Sequence, residues 1–311
     1  MNGDLDQVRA ARAALALLTA TGDRDVHTLV AACGPVDALS RMIDGTAPGR
    51  ALVQLRERVN GDQLRAHAAR VGADARRVGA RVVIPEDDEW PTRLPDLATV
   101  DVDAAAGAAV CLWVRGHGPL SAVLDRAVAV VGAHAASPYG TTVGTDLGYS
   151  LATAGATIAT RGAYGIDTAV LRGALAVSDA RTVVITACGL DRPHPAGNTA
   201  LLDQVTTNGS LVSAYPPGVR PSRDRMTATG QLLATLTRGI VVVEAAPHSR
   251  TLTTLEHALS LGRLAMVVPG PVTSTLSAGV HEALRRHPQL RVVRDAADVL
   301  HDLTAAQQPG Q

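Results

Sequence analysis

The sequence has no lysine and no phenylalanine, and its only aromatics are two tryptophans and four tyrosines. Without lysine there is no Walker-type phosphate lysine and no Schiff-base chemistry. Without phenylalanine, stacking on a nucleobase falls to tyrosine, tryptophan, histidine or arginine. All 29 basic residues are arginines and 29 acidic residues balance them, so no global field draws the chain to a polyanion. A nucleic-acid site has to be a local patch. Cysteine is scarce: Cys33, Cys111 and Cys188 lie far apart with no CxxC pair. That argues against a disulfide framework or a zinc site and fits a reducing, cytoplasmic setting. No apolar run approaches the ~18 residues of a membrane span. The first apolar stretch follows Asp4 and Asp6, unlike the basic lead of a signal peptide, so no membrane partner is expected.

What is present can build a sizeable core: 46% of 311 residues are hydrophobic, enough for one large domain or two unequal ones. Residues 1–75 read as helices. "VRAARAALALLTATG" stops at Gly22, "DVHTLVAACG" starts at a capping Asp and stops at Gly34, and "PVDALSRMIDG" and "ALVQLRERVNGDQLRAHAARVG" continue the helical spacing. Arg50, Arg56, Arg58, Arg65 and Arg70 are interleaved with carboxylates, which favours a small bundle without chemistry over a DNA-backbone module. Residues 76–125 change texture: "ARVVIPEDDEWPTRLPDL" and "AAVCLWVRGHGPL" each hold a strand, and together read as a connector docked on a sheet edge.

From Arg126 the alternation is regular. "AVAVVGA", "ATIAT", "RTVVITAC", "SLVSAY", "GIVVVEAA", "LAMVVPG" and "LRVV" are short Val/Ile-rich runs, and helical stretches separate them. The helix candidates are "TVGTDLGYSLATAG", "DTAVLRGALAV", "NTALLDQVTTNG", "GQLLATLT", "TLTTLEHALSLG" and "AGVHEALRRH". Buried strands spaced by helices predict a doubly wound, mostly parallel α/β sheet. Ligands of such sheets bind outside the carboxyl ends of the strands, at the switch point. Small residues there, as in Gly132-Ala133-His134 and Thr160-Arg161-Gly162-Ala163-Tyr164-Gly165, let backbone amides approach phosphate.

The first loop is no GxGxxG fingerprint, because Gly132 is followed by no glycine until Gly140, so no nicotinamide cofactor is expected. Asp167 reads as a helix N-cap. Glu244 ends an apolar strand and has to find a partner, structural or ligand. No HExxH spacing, GxSxG elbow or nucleophile–base pair stands out, so no metal site is expected and the residues alone support no catalytic arrangement. One stretch is locally basic: residues 218–238 carry Arg220, Arg223, Arg225 and Arg238 against Asp224.

Taken in order, "DDEWPTRLPDL", "CLWVRGHGPL", "VAVVGAHAASPYG", "TRGAYGIDTAVLRGAL", "YPPGVRPSRDR", "VVVEA", "HSRTLTT" and "VVPGPVTSTLSAG" resemble the motifs of the DprA/Smf family of DNA-processing proteins. The resemblance covers nearly the whole chain. It implies a Rossmann-like domain over residues 126–303 behind a small helical domain. It also implies a non-enzymatic protein that binds single-stranded DNA at the strand-end edge, dimerises, and helps to load the recombinase RecA during transformation. Many members carry a C-terminal winged helix. The polar "TAAQQPGQ" of residues 304–311 predicts a disordered tail in its place.

The resemblance points to Gly132, Ala133, His134, Thr160, Arg161, Gly162, Gly165, Arg220, Arg223, Arg225, Met226, Ser249, Arg250 and Thr251 as the DNA-binding set. Several positions depart from the family pattern. Ala133 and His134 replace Ser and Arg, and Thr160-Arg161 replaces Ser-Gly. Met226 replaces Phe, Thr229-Gly230-Gln231 replaces Arg-Asn-Arg, and Arg250 replaces Gly. The arginines then either rebuild a different basic pocket or leave DNA binding weak, with a scaffold role remaining. A third reading is a nucleotide-binding, phosphoribohydrolase-like protein. Against it, "PHSRTLTTLE" lacks both glycines of that family's loop.

Overall fold

The structure, a computed structural model, describes residues 2–18, 24–49, 61–99 and 110–306. Each of the seven Val/Ile-rich runs forms a strand: β3 (Ala127–Val131), β4 (Thr157–Thr160), β5 (Thr182–Thr186), β6 (Ser210–Ser213), β7 (Gly239–Val242), β8 (Leu264–Val267) and β9 (Arg291–Val292). The connector supplies β1 (Arg81–Val83) and β2 (Leu112–Gly116). They join one nine-stranded sheet in the order β1-β2-β6-β5-β4-β3-β7-β8-β9. Every pairing from β6 to β9 is parallel, whereas β2 runs antiparallel to both β1 and β6.

The central strands read as continuous apolar runs because both faces are covered. Ala127, Ala129 and Val131 of β3, with Ile240 and Val242 of β7, face one core, which α8 (Arg223–Leu236), α9 (Arg250–Ser260) and α10 (Thr275–Arg286) close. Val128, Val130 and Val241 face the other, under α5 (Pro138–Thr153), α6 (Ile166–Leu175) and α11 (Ala296–Ala305). Between β5 and β6 the chain forms α7 (Thr199–Asn208), and the short α4 (Leu120–Leu124) precedes β3. The strand order reverses at β3, which has β4 on one side and β7 on the other. The crevice of this fold therefore opens at the carboxyl ends of β3 and β7.

The N-terminal helices are α1 (Asn2–Leu18), α2 (Arg24–Asp44) and α3 (Gly61–Arg77). The expected stop at Gly34 appears as a break inside α2, where Gly34 takes φ 79° and ψ 163° ahead of Pro35. Leu15, Val26, Leu29, Met42 and Leu64 form a core of their own. Ala13, Ala16, Val71 and Ala75 instead share a core with Trp113, Leu171 and Leu202, so α1 and α3 also pack on the sheet extension. The acidic turn explains that docking. Arg9 grips Asp87 through both terminal nitrogens, at 2.5 and 2.8 Å, and donates to the Val82 carbonyl at 2.7 Å. Arg12 pairs with Glu86 at 2.7 Å, and Arg81 with Glu89 at 2.7 Å.

Four expectations differ. The boundary expected at residue 75 falls inside α3, which runs to Arg77. The helix expected from Gly230 begins at Arg223, because the Ser222 side chain caps it by accepting from the Arg225 N–H. The stretch after "LRVV" also forms a helix, α11, which Asp295 caps by accepting from the Asp298 N–H. That helix includes Thr304 and Ala305, assigned above to a tail. Residues 51–60, with Arg56 and Arg58, and also Arg50 and residues 307–311, lie outside the described residues.

Candidate nucleic-acid interface

The loop after β3 is held from the neighbouring strand. Glu244, just past β7 and 1% exposed, accepts from the Ser137 hydroxyl at 2.5 Å and from the Ser137 N–H at 3.0 Å. Ser137 in turn is the N-cap of α5 and accepts from the Gly140 N–H at 3.0 Å. A carboxylate thus sits at the positive end of α5, where a dinucleotide phosphate would otherwise bind. Glu244 is therefore a structural partner of this loop. Gly132 is required by packing: a Cβ there would come within 2.5 Å of Ile166 Cγ1.

The loop after β4 props the first one. Gly165 takes φ 75°, and a Cβ on it would meet the Ala133 carbonyl oxygen at 2.2 Å. Ile166 N–H donates to that carbonyl at 3.1 Å. Gly165, not Asp167, is the N-cap of α6. Asp167, buried inside the first turn, instead accepts from the Arg161 N–H at 3.0 Å and pairs with its guanidinium at 3.4 Å. Arg161 also reaches the Gly132 carbonyl at 3.5 Å and the Thr251 hydroxyl at 3.4 Å, and that hydroxyl donates to Gly132 at 2.9 Å. Buried Asn198 fastens the loop from outside, donating to the Gly162 and Ala163 carbonyls at 2.9 and 3.2 Å.

These loops enclose a cleft of about 440 Å³. Gly132, Ala133, His134, Arg161, Met226, Ser249, Arg250 and Thr251, eight of the set the resemblance points to, line it. His194 and His248 line it as well, and among the described residues no carboxylate does. His134 meets the edge of the Tyr164 ring, centroid to centroid 5.3 Å. The N-terminus of α9 opens on the cleft: its N-cap Ser249 makes no side-chain cap, and Arg250 is exposed with no acidic partner among the described residues.

The remaining expected residues lie elsewhere. Thr160 and Gly162 are buried beneath the loop, joined by the Gly162 N–H to Thr160 hydroxyl bond at 3.0 Å. Arg220, Arg223 and Arg225 are not in the lining. Arg225 sits over the Tyr215 ring at 5.5 Å and donates to the Arg220 carbonyl at 2.9 Å. Arg220 and Arg223 are exposed. Of Thr229-Gly230-Gln231, only Thr229 touches the cleft, and all three are buried against the helical layer. A Cβ on Gly230 would meet the Thr254 hydroxyl at 2.4 Å. Asn198, His194 and His248 are not in the set the resemblance points to. A cluster of polar residues in strand-end loops was their only signal.

Burial pushes the Cys188 thiol up to about 11, and Asp191 adds to the shift, so this cysteine is not a nucleophile at neutral pH. No group of three His, Cys, Asp or Glu residues that could hold a metal exists among the described residues. No described helix is long and apolar enough to cross a membrane.

Residues 81–304 match the family model described as DNA recombination-mediator protein A. A DprA homologue of Mycobacterium tuberculosis (strain CDC 1551 / Oshkosh) is 43% identical over 221 residues, which is 69% of this chain and 56% of that protein. Protein Smf of Escherichia coli (strain K12) is 33% identical over 223 residues, 71% of this chain and 56% of that one. The chain thus spans about half the length of these curated relatives. DNA processing protein A of Streptococcus pneumoniae has a solved structure that matches with TM-score 0.74 at 24% identity, over 100% of this chain and 99% of that one. The Helicobacter pylori protein matches with TM-score 0.62 at 21% identity, over 73% and 98%. Those two likenesses establish the Rossmann-like fold, and the family model with the sequence relatives establishes kinship: the chain belongs to the DNA recombination-mediator protein A (DprA/Smf) family.

Proposed function

We propose that this chain binds single-stranded DNA along the cleft at the β3–β7 switch point and passes it to a RecA-type recombinase. It acts in the cytoplasm, as a homodimer and without catalysing a reaction. The observation that carries this reading is the cleft: it is lined by no carboxylate among the described residues, is built on glycine loops, and opens beside the uncapped N-terminus of α9. Such a site suits phosphate. Kinship adds support, and the Helicobacter pylori protein of the same fold binds single-stranded DNA.

In this reading Gly132, Ala133 and His134 form one wall of the track, and Ser249, Arg250 and Thr251 form the other. Thr160, Arg161, Gly162 and Gly165 shape the floor, while Met226, Arg220, Arg223 and Arg225 continue the track along α8. The domain division is a helical N-terminal part, a connector and the Rossmann-like part from β3 onward.

The test is a salt series of anisotropy titrations with a long labelled oligothymidylate. Binding that weakens linearly in log salt supports the reading. No binding at low salt overturns it and leaves the scaffold role. Two observations weigh against a nucleotide-hydrolysing protein. Glu244 closes the α5 end, and Glu256 lies outside the cleft, pairing with His287 at 2.9 Å and Arg286 at 3.4 Å.

A further inference from the structure

Most of the charge this cleft can offer a phosphate is conditional. Of its two arginines, Arg161 is compensated by the buried carboxylate of Asp167 at 3.4 Å, which leaves Arg250 as the uncompensated guanidinium in the lining. The other basic side chains there are imidazoles. His134 comes from the loop after β3, His194 from the loop after β5 and His248 from the loop after β7. Three separate strand ends converge on one cavity with the same side chain.

We propose that His134, His194 and His248 together form a proton-dependent phosphate grip, so that the strand binds more tightly as the pH falls and binding itself draws protons onto the cleft. This inference rests on the single-stranded DNA reading above. Imidazole is the side chain whose charge changes between about pH 5 and 8. A phosphate in the cleft is an opposite charge that favours the imidazolium, and each imidazolium offers two N–H donors.

The surroundings of each ring bear on that charge. His134 faces the Tyr164 ring edge and, across the cleft, Arg161, whose partner is Asp167. Beyond Ser137 lies Glu244. His194 shares its loop with Arg192 and Asp191. Asp191 is already engaged by the Gly218 N–H at 2.7 Å and by Arg192 at 3.5 Å. Cys188, below that loop, is a neutral thiol that donates to the Arg192 carbonyl at 3.0 Å. Across from it, α8 contributes Met226 and Thr229, which carry no charge. His248 has Arg250 on the cleft side. It also borders a second groove lined by Glu256, Glu282 and Arg286, where Glu256 is paired with Arg286 and His287. Arg161, Arg250 and Arg286 are the cations, and Glu282 a carboxylate, that border these rings. A phosphate bound in the cleft adds a negative charge that favours the protonated rings.

The experiment uses the full chain and a labelled oligothymidylate, titrated across a salt series at about pH 6 and about pH 8, on either side of the ordinary imidazole value near 6.5. The expected result is binding at least roughly tenfold tighter at the lower pH, with a salt slope steeper by about 0.7 for each engaged imidazole. In the combined variant His134→Asn, His194→Asn, His248→Asn, the ratio of the two affinities falls toward one. Asparagine suits the left-handed φ of 58° at residue 248, so the backbone there is kept. The wild-type chain gives an independent reading free of any folding defect. Calorimetry near pH 7 in buffers of different ionisation enthalpy shows net proton uptake on binding. Equal affinities at both pH values, a variant that keeps the wild-type ratio, or no proton uptake each overturn the grip while leaving DNA binding intact. No binding at either pH overturns the DNA reading, and the grip with it.

Discussion

Glu244 accepts from both the hydroxyl and the N–H of Ser137, at 2.5 and 3.0 Å, so a residue just past β7 holds the loop that leaves β3. The two arms of the switch point are thereby locked together from beneath. The carboxylate also occupies the helix end that a cofactor phosphate would seek. Glu244→Gln replaces one acceptor oxygen by a donor facing Ser137. The expected cost is about 2–3 kcal/mol, since a buried group loses its partner. A urea melt reads it as a lower midpoint with unchanged slope. A midpoint equal to wild type would show that the bond is dispensable.

Arg161 and Asp167 should separate stability from binding. Arg161→Ala leaves a buried carboxylate with only a backbone donor and is expected to cost about 3 kcal/mol. Asp167→Asn keeps the shape but frees the guanidinium. DNA binding should tighten and the salt slope steepen by about 0.7, alongside a lower melting temperature. If affinity falls in Asp167→Asn, the pair itself is the binding element.

Arg250 is exposed at the open end of α9 and has no acidic partner among the described residues. Arg250→Ala should leave stability within about 0.5 kcal/mol. It should also weaken DNA binding evenly across sequences, because phosphate contacts carry no base code. Parallel titrations on oligothymidylate and a mixed-sequence strand check this. Arg225 is the contrast: its guanidinium lies over Tyr215, so Arg225→Ala should lower the melting temperature as well.

His257 governs a pH effect away from the cleft. It is buried, its Nε2 lies 3.2 Å from the Thr235 hydroxyl, and burial, helped by Arg263, depresses its pKa to about 4. The unfolded chain protonates this ring near pH 6.5 and the folded chain does not. Stability is therefore full above that value and is lost as the pH falls toward 4. The expected loss is on the order of 2–3 kcal/mol. Melting temperatures of wild type and His257→Gln across this window should converge as the pH falls. Parallel curves would assign the acid loss to other groups.

Much of the fold was legible because it rests on local pattern. The runs "AVAVV" and "GIVVV" are apolar at every position, as a strand covered on both faces requires. Gly34 broke its helix where glycine was read as a stop. The start of α8 was hidden because its first turn is Arg-Asp-Arg, which reads as a basic loop. Only the Ser222 cap, seen in three dimensions, makes it helical. In the site, glycines and small residues marked the strand ends correctly. The charge of the arginines was visible, but the partners of Arg161 and Arg225 were not.

The sequence by itself determined the order of strands and helices, the glycine loops and the family kinship, because periodicity and motif order are local properties. Tertiary structure alone decided which charges remain available. Asp167 and Arg161 are six residues apart, but their pairing needs the turn at Gly165. Glu244 and Ser137 are 107 residues apart, as are no motif's members. Three histidines on separate loops share one cleft only because parallel strands end on the same edge of the sheet. A charge is recognisable in a sequence, whereas its compensation depends on distances that only the folded chain sets.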